Sequence, residues 1–249
     1  NYILKSILSM ILLLSFAKNA FSQEKIDDIE VIGISPLPGI EIDRNKIPNA
    51  SQSLREIDLD SSTGTTIVDL LGEKLTGVTI KDVQNSPFQK NIDYRGFTAA
   101  PLLGESQGLA VYLNGTRINE GFGDTLQWEL VPEAALTNID LMSSNPVFGL
   151  NALGGSLALT TKKGLDFLNT DSSVENHFEF GGADWVNGNI ELGAGDESQG
   201  LYVAMENSYD GGWRDNSAGD VKRLFINYGK IFEKSDFDFT FMNEESNLH

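Results

Sequence analysis

Side chains able to carry out catalysis are sparse in this sequence. Cysteine is absent, which removes thiol nucleophiles, thiolate metal sites and disulfides. The two histidines, His177 and His249, stand too far apart in sequence to suggest a metal cluster. Asp58/Asp60 and Asp236/Asp238 are spaced as carboxylate pairs, but neither has the neighbouring ligands or loop of a calcium site. A solvated face or a wet barrel interior accounts for both. No G-x-S-x-G elbow occurs, and no glycine loop ends in the Lys-Ser/Thr that holds phosphate. The sequence therefore predicts no catalytic residue, no metal and no cofactor, and the chain is not expected to be an enzyme. With 36 Asp+Glu against 18 Lys+Arg, a net charge of -18 repels phosphate backbones and argues against nucleic acid.

What remains is recognition. Asp28-Ile29-Glu30-Val31-Ile32-Gly33 is an acidic, β-branched run closed off by Ser35-Pro36. Such a segment can add as a strand to the edge of a partner's sheet, with main-chain hydrogen bonds supplying the grip. It lies in a polar leader, residues 23–50, where Pro36, Pro38 and Pro48 interrupt helix and central strand. The leader reads as largely extended and mobile. Ahead of it, Lys5, the apolar run Ile7 to Ala17 and the exit Ala20-Phe21-Ser22 make residues 1–22 a secretory signal peptide, too short to span a bilayer.

The elements that would position further sites fall into two groups. Residues 51–164 mix helix and strand, as in an α+β domain. Thr65 to Leu75 places Ile67, Leu70, Leu71 and Leu75 on one helical face, with Ser61, Ser62 or Thr63 available as caps. Ile92 to Phe97 and Leu109 to Leu113 read as strands, Asn114-Gly115 as a hairpin turn, and Glu129 to Leu136 as a short helix. From 165 to 249 the chain becomes serial half-polar strands. In Phe237 to Phe241 every second residue is aromatic, and Leu201, Val203 and Met205 oppose Tyr202, Ala204 and Glu206. One apolar and one polar face suit a transmembrane barrel, and equally a soluble sandwich. Trp185, Tyr209 and Trp213 near strand ends suit the headgroup level of a membrane.

Several segments, in order, resemble the plug of TonB-dependent outer-membrane receptors. These are Ile67 to Leu71 with Thr76-Gly77-Val78, Asn91 to Phe97 with Arg95-Gly96, and Val111 to Asn119 with Asn114-Gly115. Ile139 to Met142 and Phe148 to Leu159 follow, with Gly149 and Gly154-Gly155 as the most specific spacing. The resemblance implies an α+β plug followed by an antiparallel transmembrane β-barrel, of which only the first few strands are present. It identifies Asp28 to Gly33 as a TonB box, with Glu30 interrupting the usual apolar run. Glycines in the closing motif are expected to let the backbone approach the enclosing wall.

The resemblance also implies partners and a place. TonB, with ExbB and ExbD, would pull the box from the periplasm, and a small-molecule ligand, most often a ferric siderophore or other iron chelate, would bind from outside. The barrel would sit in outer-membrane lipid. Outward plug loops would meet the ligand through Thr98, Leu102, Leu103, Glu105 and Gln107, and through Phe122, Asp124 and Gln127. The chain is expected to continue for several hundred residues, because such barrels have about 22 strands. A passive β-barrel pore or adhesin and a secreted all-β carbohydrate-binding protein are the alternatives.

Overall fold

A mixed helix-and-strand layer hands over to a long antiparallel sheet in this computed structural model. It describes residues 31–33, 41–43, 50–60, 66–144, 148–149, 151–182, 184–213 and 215–248. The predicted signal peptide at 1–22 and the first half of the predicted box, Asp28 to Glu30, lie outside the described residues. The second half of the box forms β1 (Val31–Gly33), which pairs antiparallel with β2 (Glu41–Asp43), Ile32 opposite Ile42.

The mixed layer is built on two sheets. β3 (Ser51–Arg55), β7 (Leu109–Leu113), β8 (Thr116–Arg117), β9 (Leu136–Ser143) and β10 (Gly155–Thr161) form one sheet in the order β3-β9-β10-β7-β8, with β10 and β7 parallel. β4 (Val78–Lys81), β5 (Asn91–Tyr94) and β6 (Phe97–Ala99) form the other. Between β3 and β4 stand two helices, α1 (Glu56–Asp60) and α2 (Ile67–Lys74). Every residue of β7 is buried, because the sheet carries a core on both faces. Leu109, Val111 and Leu113 pack with α2 in the main core, while Ala110 and Tyr112 pack with Met142, Phe148 and Ala152 on the other side. Each fully buried large side chain contributes about 1.5–3 kcal/mol of transfer free energy. That is why α2, only eight residues long, needs no length of its own to persist.

Local chemistry sets the boundaries, with some differences from expectation. α2 begins one turn later than a Ser61–Thr63 cap would require. Its N-cap is Thr66, whose Oγ1 accepts from the Asp69 N–H at 3.4 Å. The predicted strand Ile92 to Phe97 is two strands, because Arg95 and Gly96 both take positive φ (54° and 88°) and turn β5 into β6. The expected helix at Glu129 to Leu136 is two 3-10 turns, Trp128–Leu130 and Glu133–Ala135, with β9 already under way at Leu136. Pro132 between them donates no backbone hydrogen bond, so one continuous helix is not sustained.

The hairpin at Asn114-Gly115 is as the sequence predicts, with φ of 48° and 82° and Leu113 opposite Thr116. Asn114 also does a second job. Its Nδ2 donates to Thr161 Oγ1 (2.8 Å) and its Oδ1 accepts from the Thr161 N–H (3.1 Å), tying β7 to the end of β10. Asn114→Ala is therefore expected to cost about 2 kcal/mol, from left-handed strain and the lost Thr161 bonds. Asn114→Gly, which keeps the turn, should cost only the second part. Urea unfolding of the two variants side by side checks the split.

The long sheet is a meander of β11 (Thr170–Phe180), β12 (Val186–Gly195), β13 (Gln199–Asp210), β14 (Gly219–Phe232) and β15 (Ser235–Leu248). One face turns toward the mixed layer, with Tyr202, Ala204, Glu206, Val221, Arg223, Phe225 and Asn227 buried there. The other face carries Val174, Phe178, Ile190, Leu192, Leu201, Met205, Phe237, Phe239 and Phe241, all exposed. Along the cross-strand pairs this outer apolar stripe climbs by about one residue per strand, as tilted barrel strands require. The sheet is open in this chain. Trp185 departs from the membrane-girdle expectation: it is only 4% exposed, turned inward onto the mixed layer, while Trp213 and Tyr209 are exposed.

Candidate functional site

The two layers meet through buried ions. From β14, Arg223 reaches across the interface and spends its whole guanidinium there. Nε donates to the Glu129 carbonyl (2.7 Å), Nη2 donates to Glu133 Oε1 (3.1 Å), and Nη1 donates to Glu206 of β13. Arg223 and Glu206 side chains are 5% and 3% exposed, so neither charge has water to fall back on. The other oxygen of Glu133 accepts from the Ile67 N–H at 2.9 Å, the first free donor of α2. One carboxylate thus joins a wall cation to a helix start. Burial pushes the Glu133 carboxyl up to about 7 despite Arg223, with Glu206 adding to the rise. Burial also raises Glu129, against the hydrogen bond from Gln89.

A second junction lies where the chain leaves β10. Lys162 Nζ bonds Glu191 of β12 (2.7 Å) and also meets Glu56 of α1 (3.3 Å) and Glu175 of β11 (3.6 Å). The two junctions bracket a cavity of about 590 Å³ lined by Glu56, Ile67, Glu133, Lys162, His177 and Glu191, among others. Among the described residues no three His, Cys, Asp or Glu side chains are grouped so as to hold a metal ion.

At the opposite end of β7 from Asn114-Gly115, two connections form a tip. The loop 100–108 and the loop 119–127 are tied by the Leu126 N–H donating to the Ala100 carbonyl (3.0 Å), and Leu103 fills the space a Cβ at Gly123 would need. Of the eight residues expected to face a ligand, Leu103 and Phe122 stand clear, 60% and 78% exposed. Glu105 is exposed and Leu102 half-buried. The others are occupied. Thr98 is buried within β6. Gln107 folds back, its Oε1 accepting from the Ala100 N–H and its Nε2 donating to the Ala100 and Leu102 carbonyls. Asp124 is ion-paired to Arg117. Gln127 donates to Glu120 at 3.1 Å. The organiser of this tip was not among the chosen residues: Asn119 accepts from the Val111 N–H (2.7 Å) and donates to the Leu109 and Asp124 carbonyls.

The glycines of the closing motif serve the mixed layer itself. Gly154 lies against the Phe97 side chain, and Gly155 sits on the Met142 carbonyl and the Tyr94 ring, so neither is the approach to the wall that was expected. Gly149 turns with φ of 76°.

Comparison with known proteins decides what this layer is. The family model of the TonB-dependent receptor plug domain matches residues 43–156. Those residues are a TonB-dependent receptor plug. Solved structures share the fold of the plug and the strands after it. The hemophore receptor HasR of Serratia marcescens has 16% identity and a TM-score of 0.64, over 80% of this chain and 32% of that one. The ferric yersiniabactin uptake receptor FyuA from Yersinia pestis has 16% identity and a TM-score of 0.61, over the same two shares. The copper transporter OprC has 13% identity and a TM-score of 0.63, over 88% of this chain and 32% of that one. This chain spans about a third of the length of these structures. No curated protein matches it.

With the plug named, β11 to β15 take their meaning as the first strands of an antiparallel barrel wall. The plug is held to them by Glu133, Lys162 and the 3-10 turn Gly164–Phe167. None of these was chosen from the sequence. A lone arginine in an alternating strand carries no sign of what it will meet. The one available signal is a charged residue, Arg223, that alternates with Val221 and Phe225 on one face of its strand.

Proposed function

We propose that this chain is the signal peptide (1–22), leader (23–50), plug (51–164) and first wall strands (165–249) of a receptor of the Gram-negative outer membrane. In this reading the receptor takes up a scarce nutrient with energy delivered through TonB. The observation that carries the proposal is a sheet with an apolar outer stripe whose inner face is clamped by buried ions onto a plug. Lipid outside and a filled lumen inside are what such a wall needs.

Turn lengths support an orientation. The connections 196–198 and 233–234 are short, while 181–185 and 211–218 are longer, and in barrels of this kind the short turns face the periplasm. The handover Lys162 to Thr170 lies at the short-turn end, where Thr170 pairs with Gly195, and so the Leu103/Phe122 tip faces outward. A ligand arriving from outside would meet that ledge first. An apolar and aromatic ledge suits a chelate with an organic rim, and an iron chelate is our leading cargo. HasR and FyuA, which share the fold, are named for heme-carrying and ferric ligands, and OprC for copper.

Ligand binding would free the leader, and TonB, powered through ExbB and ExbD, would take residues 28–33 as an added strand. β1 is already paired with β2 on one edge, which leaves its other edge for a partner. Deleting residues 24–35 in the receptor is expected to abolish growth on the nutrient while leaving the protein in the outer membrane. Uptake that survives this deletion would instead favour a passive pore. A chain that fractionates as soluble protein would favour a secreted all-β module.

A further inference from the structure

Three consecutive plug residues each hold a different part of the molecule. The Phe88 ring is buried against Trp185, centroids 5.9 Å apart, in a cluster with Val221 and Leu248. Trp185 closes the turn between β11 and β12, Val221 opens β14, and Leu248 ends β15, so Phe88 grips the long-turn end of the wall. Gln89 Nε2 donates to Glu129 Oε1 at 2.8 Å, beside the carbonyl that Arg223 holds. Lys90 Nζ bonds both oxygens of Asp69, at 2.7 and 2.9 Å. Asp69 is in the first turn of α2 and accepts from Thr66 Oγ1, the residue that caps the helix, at 3.0 Å. Asn91, the next residue, is fixed at the start of β5 opposite Lys81.

We propose that Phe88-Gln89-Lys90 is a connector that makes the order of helix α2 depend on the position of the wall's long-turn end. The segment is short and held at each residue, so a shift of the Trp185 turn cannot be absorbed by loose chain. It must move Phe88, and with it the Lys90 ammonium that steadies the acidic first turn of α2. Coupling between separated sites can be carried by a run of packed and bonded groups. Here the run is ring, backbone, ammonium and carboxylate. The connector supplies a route by which closure of the outer turns over a ligand reaches the start of α2. That direction rests on the proposed receptor role; the coupling itself does not.

The test therefore uses neither ligand nor uptake. Hydrogen exchange of the Ile67–Lys74 amides is measured in the whole receptor, in detergent micelles, for Phe88→Ala, Lys90→Met and the double variant. A heat-modifiable gel shift checks that the barrel is formed. Phe88→Ala should speed exchange in α2 by about tenfold, although Phe88 belongs to a different packing cluster. In the Lys90→Met background the same change should add less than about twofold. Lys90→Arg, which keeps the ion pair, should restore the response to Phe88→Ala. Unchanged exchange in α2, or two effects that simply multiply, would overturn the connector. If Phe88→Ala prevents barrel formation, Phe88→Leu gives the same cycle with a smaller truncation.

Discussion

Replacing Arg223 with methionine is expected to loosen the plug by about 3–5 kcal/mol, the cost of leaving a buried ion pair without one partner. Glu206 and Glu133 would keep their positions beside each other with no cation between them, and the Glu129 carbonyl would lose its donor. Methionine matches the length of the stem, so the loss is of charge and hydrogen bonds rather than of volume. Arg223→Lys is a milder test. A lysine keeps the charge but cannot send three separate donors to Glu129, Glu133 and Glu206 at once. The expected order of plug retention in urea is wild type, then Lys, then Met, read as protection of the plug from trypsin in outer-membrane fractions. If Met holds the plug as firmly as arginine, the junction contributes nothing to docking.

How much of this was legible beforehand depended on whether a signal was local. The Asn114-Gly115 turn needs two adjacent left-handed residues, and the sequence names them directly. The faces of β13 and β15 follow from period two, and the structure puts Leu201 and Met205, and Phe237 and Phe239, on the exposed side as the alternation required. Arg95-Gly96 reads as strand interior because a turn of two residues between short strands leaves little break in the pattern. Gln107 and Asp124 looked like free polar groups in ligand-facing loops. Both are committed to holding those loops, Gln107 by folding back onto Ala100 of its own loop and Asp124 by pairing with Arg117 of β8, which only the fold can reveal. Trp185 departs from expectation for the same kind of reason. An indole near a strand end suits either a membrane surface or a buried contact, and Phe88, nearly a hundred residues earlier, decides between them. Long-range pairing across the plug–wall interface was the part the sequence could not show.

The second large effect is expected at the handover itself. Gly164 lies so close to Gly200 of β13 that a Cβ would overlap the Gly200 carbonyl, with that residue's carbon at 2.7 Å and the Asn227 carbonyl at 2.9 Å. All three are backbone atoms of the wall, and none can rotate aside. The Gly164 N–H also donates to Asn227 Oδ1 at 2.6 Å, and lifting the linker to admit a methyl group would lengthen that bond. Other wall glycines complete the trough: Gly229 receives Leu165, and Gly193 receives Phe167, whose ring stacks on Tyr202 at 5.4 Å. Gly164→Ala is accordingly expected to cost about 3 kcal/mol or more, combining overpacking with a weakened buried hydrogen bond. Gly229→Ala should cost less, because its neighbour is a leucine side chain that can change rotamer. Gly182→Ala, where a Cβ meets nothing within 4 Å, should be close to neutral and serves as the control. The readout is the urea concentration at which the plug becomes protease-sensitive in the intact receptor. A graded loss in that order would mean that the linker is seated by backbone contact. Equal effects at Gly164 and Gly182 would mean that the trough does not hold the plug, and that the ion pairs of Arg223 and Lys162 and the Phe88 cluster do so instead.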